Sequence, residues 1–169
     1  MKKQLRYASI LVIFLCLWHS VSCVSVSLPS SESTKASGVQ HAKLSSDFQQ
    51  FFPEHVDAAW KNNKNGNSIS YYSECDSKES ASFKNIQKGL IRSVQSAKVE
   101  REMNIRLAGE TGLRSIVSGN VDSKTSLVDL IIFSKEKCIF ILTYVGRKES
   151  FLENQKEFEK FYTSFEVDP

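Results

Sequence analysis

Two runs in the second half of the chain constrain its fold more than any other feature. "LVDLIIF", Leu127 to Phe133, and "CIFILTYV", Cys138 to Val145, are apolar on both alternating sides. Successive side chains of a strand point to opposite faces. Phe140, Leu142 and Tyr144 therefore leave one way, and Ile139, Ile141 and Val145 the other. A strand that is apolar on both sides needs a cover above and below it. These runs read as central strands, and "SKEK" between them reads as a tight hairpin. Asp129 interrupts the first run. A lone buried carboxylate is costly, so Asp129 lies at an edge or has a partner.

The segments around these runs supply the remaining elements. "AAWKN" and "SISYYSEC" flank "NKNGN", and Asn65-Gly66 is a hairpin signal because both residues tolerate positive φ. In "SASFKNIQKGLIRSV", Phe83, Ile86, Leu90, Ile91 and Val94 recur at helical spacing behind serines that can cap. "VEREMNIRL" alternates, with Val99, Met103, Ile105 and Leu107 expected inward. "AGETG" turns the chain, "LRSIVSGNV" is a further strand, and "DSKT" is a second turn. Ser150 and Glu153 have the spacing of a capping box ahead of a last helix. Phe151, Gln155, Phe158, Phe161, Tyr162 and Phe165 form its stripe. Two helices with five or six antiparallel strands predict an α+β fold: an antiparallel β-sheet with helices packed on both faces.

The first twenty-two residues read as an address. Lys2, Lys3 and Arg6 precede "YASILVIFLCLW", an apolar run too short to span a bilayer, and small residues follow. This is the pattern of a secretory signal peptide, residues 1–22. Ser20 and Ser22 suit ordinary cleavage. "SVSC" also resembles a bacterial lipobox, in which Cys23 is lipidated and becomes the mature N-terminus; Ser20 stands where Leu is usual. Residues 23–46 are serine-rich without apolar period, and read as a flexible tether whose ends lie roughly 27 Å apart. Residues 47–169 are rich in apolar and aromatic residues and make one domain.

Charge and cysteine count narrow the function classes. The chain has 22 Lys and Arg against 19 Asp and Glu; without Lys2, Lys3 and Arg6 the balance is 19 to 19. With no Lys/Arg run either, there is no electrostatic case for a nucleic-acid partner. Cys16 leaves with the signal. If Cys23 carries lipid, Cys75 and Cys138 remain as an even pair, as exported proteins favour. They read as a disulfide joining two hairpins, or as two buried free thiols. Two thiols and one histidine fall short of a metal site. His55 is the only histidine within 47–169, in a loop, and no catalytic partner is placed for it. "GETG" lacks the Lys and Ser/Thr of a phosphate loop. Phe48, Phe51 and Phe52 are spaced as a short helix packed on the core, or as an exposed patch touching membrane or a partner.

"AWKNNKNGNSISYYSEC", "LIIFSKEKCIFILTYVG" and "FEKFYTSF" together resemble uncharacterised bacterial lipoproteins with a PsbP-like fold. An extrinsic photosystem protein and a Ran-binding nuclear import factor share that fold. The resemblance covers about residues 56–168; "C-x-F-x-L-T-Y" (Cys138 to Tyr144) and "F-x-x-F-x-x-S-F" (Phe158 to Phe165) are its most telling pieces. It implies a PsbP-like sandwich that binds or assembles rather than catalyses, with no cofactor. The expected protein is an envelope lipoprotein, held to a membrane by its N-terminal lipid, with an envelope protein as partner. The alternatives are a small-ligand carrier or a soluble secreted protein of the same fold.

Overall fold

The computed structural model describes residues 34–75, 81–121 and 123–167. The expectations for the signal segment, for Cys23 and for the tether as far as residue 33 lie outside these residues. The strands are β1 (Val39–Gln40), β2 (Phe48–Phe51), β3 (Ala58–Asn62), β4 (Ser68–Cys75), β5 (Gln95–Leu107), β6 (Glu110–Val121), β7 (Lys124–Lys135), β8 (Cys138–Arg147) and β9 (Glu166–Val167). The helices are α1 (Phe83–Ile91) and α2 (Gln155–Thr163), with a 3-10 turn at Phe151–Glu153 ahead of the second.

Turn chemistry fixes the strand register. The β3–β4 turn closes with the Gly66 amide donating to the Asn62 carbonyl at 2.9 Å, and Gly66 sits at φ 80°. Ala108 and Gly109 between β5 and β6, and Glu136 and Lys137 between β7 and β8, all have positive φ. Two such residues in a row match the twist of a two-residue hairpin. One seven-stranded antiparallel sheet results, in the order β2-β3-β4-β8-β7-β6-β5. β1 and β9 pair separately.

The expected alternation of β8 is observed. Phe140, Leu142 and Tyr144 join an aromatic cluster with Phe133, Phe151, Phe158, Phe161 and Phe165. Ile139, Ile141 and Val145 belong to an aliphatic cluster built on Val117, Val128, Leu130 and Ile132. α2 supplies Phe158, Phe161 and Tyr162 to the aromatic side. Phe83, Ile86 and Ile91 of α1 pack on the aliphatic side, against β6 and β7. Each fully buried Phe stabilises the fold by about 1.5–3 kcal/mol over an exposed one. Asp129 is fully buried and paired, the second of its two expected fates. Arg114 Nε and Nη2 donate to it at 2.9 and 2.6 Å, and Arg114 Nη1 donates to the Tyr162 hydroxyl at 3.0 Å.

Several expectations are corrected. Residues 34–46 are part of the fold rather than a tether. Thr34 bridges to Cys75, and the Ala42 and Ser45 amides donate to the Ser164 hydroxyl and the Glu157 carboxylate. Leu44 is buried, and the His41 ring lies 4.6 Å from Phe161 and 4.9 Å from Trp60. Serine dominates the composition there, yet a few apolar residues are enough to dock when a neighbouring helix satisfies the backbone. With β1, β2 and β9 included, the strand count exceeds the expected five or six.

Val99 lies on the side opposite Met103, Ile105 and Leu107, because a bulge between Val99 and Arg101 inserts one residue and inverts the alternation. Leu90 is exposed rather than buried. The capping box does not form. The Ser150 hydroxyl donates to Asn67 Oδ1, and Glu153 accepts from Asn65 Nδ2, so the β3–β4 turn takes both side chains.

Candidate functional site

Among the described residues, the surface feature best suited to bind something is a groove on the aliphatic side, at the end of the sheet. Its volume is about 340 Å³. The register builds it. Lys61 of β3 pairs with Ser68 of β4, which pairs with Val145 of β8. Two residues further along β8, Arg147 pairs with Ser126 of β7, and Lys124 begins that strand. Residues paired across a sheet share a face, as do residues two apart in a strand. Lys61, Lys124 and Arg147 therefore project to one side, where all three line the groove. Phe51 of the edge strand β2 forms a wall, half exposed at 38%, and Phe52 beside it is 85% exposed.

Charge sets this groove apart. Five cations elsewhere meet carboxylates: Lys35 with Asp57, Lys64 with Asp47, Lys84 with Glu102, Lys98 with Glu100 and Arg114 with Asp129. A second groove, of about 380 Å³, holds Arg101 and Lys156 but also Glu159, and its Arg114 is already engaged by Asp129. A third, of about 590 Å³, sets Lys148 against Glu100. Hydrogen bonds from Ser118 and Lys98 hold the Glu100 carboxyl below its ordinary range, so it is firmly anionic. The Phe51 groove has no carboxylate among its described lining residues. Asp122, next to Val121 in the sequence, lies outside the described residues.

Phe48, Phe51 and Phe52, spaced as a short helix or as an exposed patch, form neither as a set. Phe48 and Phe51 lie on β2, which alternates, and so they separate: Phe48 is buried in the aromatic cluster while Phe51 faces the groove. A disulfide joins Cys75 and Cys138, which are register partners at the ends of β4 and β8. His55 is exposed in a turn at φ 68°, with Glu54 at 3.9 Å as its only ion-pair neighbour among the described residues. Lys61, Lys124 and Arg147 escaped the sequence reading. They sit on three strands and form no run; only the register assembles them. The available signal was only that Lys124 and Arg147 stand at the ends of two-sided apolar strands and Lys61 near the end of β3.

No family model matches the chain, and no curated protein matches it. Solved structures do share its architecture, which resembles the PsbP-like fold. The cyanobacterial PsbP (CyanoP) of Synechocystis sp. PCC 6803 superposes with a TM-score of 0.56 at 9% identity, over 85% of this chain and 98% of that one. LpqN, described as involved in cell envelope biogenesis of Mycobacterium tuberculosis, gives 0.57 at 7% identity, over 83% of this chain and 88% of that one. At such identities the likeness concerns the fold.

Proposed function

We propose that this chain is a cell-envelope lipoprotein whose domain is a non-catalytic binding or assembly module outside the cytoplasm. In this reading Cys23 carries the lipid and holds the protein to a membrane. Residues 34–167 form a sandwich with one helix on each face of the sheet. The observation that carries the reading is the groove. It sets Lys61, Lys124 and Arg147, with no carboxylate among the described lining residues, beside half-exposed Phe51 on a sheet stapled by the Cys75–Cys138 disulfide. A rigid surface of that kind suits docking to another envelope component. Support comes from the signal-like start with its "SVSC", and from a fold shared with a protein described as involved in cell envelope biogenesis.

The deciding experiment is the intact mass of the mature protein, extracted from its own membranes without reductant. The expected mass begins at Cys23, carries diacylglycerol and an acyl chain, and is two hydrogens short. An unmodified N-terminus would sink the lipoprotein reading and favour a soluble secreted protein. Crosslinking in intact envelopes should then give one stoichiometric protein partner; background proteins alone would count against assembly.

A further inference from the structure

We infer that the groove is a membrane-apposed face that takes the phosphates of an anionic phospholipid leaflet. The inference deepens the binding reading above and rests on the protein being exported. The spacing of the cations points to this occupant. Strands lie about 4.8 Å apart and two residues along a strand span about 6.7 Å. On that grid the Arg147 backbone is about 12 Å from Lys61 and about 8 Å from Lys124, and the whole row runs about 20 Å. Such a row suits several phosphates side by side better than a single small anion.

The flanking residues agree. Phe51 projects on the same side as Lys61, and exposed Phe52 follows it. Aromatic side chains beside Lys and Arg are the composition that lies at a lipid interface, the rings among headgroups and the cations on phosphates. The Ser68 hydroxyl, which lines the floor, adds a donor.

The test uses the full-length protein purified from membranes and reconstituted into vesicles. One set is neutral phosphatidylcholine; the other contains about 30 mol % phosphatidylglycerol, enough for a strongly negative surface. Lysines are acetylated in pulses and read by mass spectrometry. Lys61 and Lys124 should react about fivefold more slowly on the anionic vesicles, while Lys84, on α1, should react equally on both. High salt should abolish the difference. Arg147→Gln should reduce the protection of Lys61 and Lys124; should that variant misfold, Phe52→Ser, at an 85% exposed position, serves instead. Equal reactivity on both vesicles overturns the inference. Soluble glycerol phosphate protecting as well as the vesicles also overturns it, in favour of a free-anion site. The same sample's intact mass reports the lipid separately. If the lipid is absent, co-sedimentation with the two vesicle types still tests the groove.

Discussion

The two sides of the sheet are built differently. On the aromatic side, Phe133, Phe140, Tyr144, Phe151, Phe158, Phe161 and Phe165 are all 2% exposed or less. Rings there meet edge to face or stacked, with Phe133 and Phe140 at 5.1 Å and Phe158 and Tyr144 at 5.5 Å. Tyr144 donates to the Phe151 carbonyl and accepts from Asn67, so even its polar end is satisfied. On the aliphatic side a nine-residue helix covers β6 and β7 and leaves the β2–β3–β4 end bare. The aromatic side holds the larger buried residues, although Val117, Leu130 and Ile132 on the aliphatic side are buried as fully. The side with the smaller cover presents the groove.

That division predicts a ranking of effects. Phe158→Ala should be the most damaging, at about 3–5 kcal/mol by urea unfolding, because it removes a fully buried ring from the aromatic side. A loss below about 1 kcal/mol would break the comparison. Next, replacing Cys75 and Cys138 together by Ser should lower stability by about 2–4 kcal/mol, since the bridge closes a loop with a sequence separation of 63. Groove cations should keep their reactivity if the sheet survives, which the same acetylation pulses read. Gln87→Ala should cost about 1–3 kcal/mol, because Gln87 is the one buried residue of α1 and donates to Ser115 and Glu102. A smaller loss would make α1 a lighter cover than described. Lys84→Ala, at an exposed pair with Glu102, should cost less than about 1 kcal/mol in thermal melts.

Alkali offers an independent probe of the aromatic side. Burial holds the phenol of Tyr144 above its ordinary range, and burial raises Tyr71 and Tyr162 as well. Below the unfolded tyrosine value, about pH 10, both states are protonated and their contribution is fully present. As pH climbs past it, the unfolded chain ionises first and stability falls. Tyr144→Phe should therefore unfold less steeply with pH above 10 than the native chain, although it starts less stable. Equal slopes would mean that Tyr144 does not carry the effect.

How much of this was legible followed from where the information resides. β7 and β8 were readable because two-sided apolar runs admit few other solutions. The β3–β4 hairpin was readable because Asn65-Gly66 names its turn, and the α2 stripe because Phe158, Phe161 and Tyr162 keep helical spacing. Residues 34–46 were missed because composition favoured a tether, while Val39, His41 and Leu44 dock on residues far along the chain. The fate of Val99 depended on a bulge, which leaves no mark in an alternating pattern. The groove was invisible for the same reason: Lys61, Lys124 and Arg147 become neighbours only once three strand pairings are known. Charge pairing, which removes Lys64 or Lys98 from consideration, is likewise a property of the fold.

The docking of residues 34–46 also has a mechanical consequence. A pull on the chain ahead of Thr34 loads first the Thr34–Cys75 bridge and the Lys35–Asp57 pair, then the two residue pairs of β1 and β9. These fasteners, with the Ala36–Ser73, Ala42–Ser164 and Ser45–Glu157 hydrogen bonds, are met one after another, whereas β4 and β8 are stapled together by a covalent bond. Under tension the segment should peel away and the sheet should hold. The thirteen released residues would extend by about 45 Å at full stretch. The domain thus carries its own reserve of slack, released under load before the sheet yields.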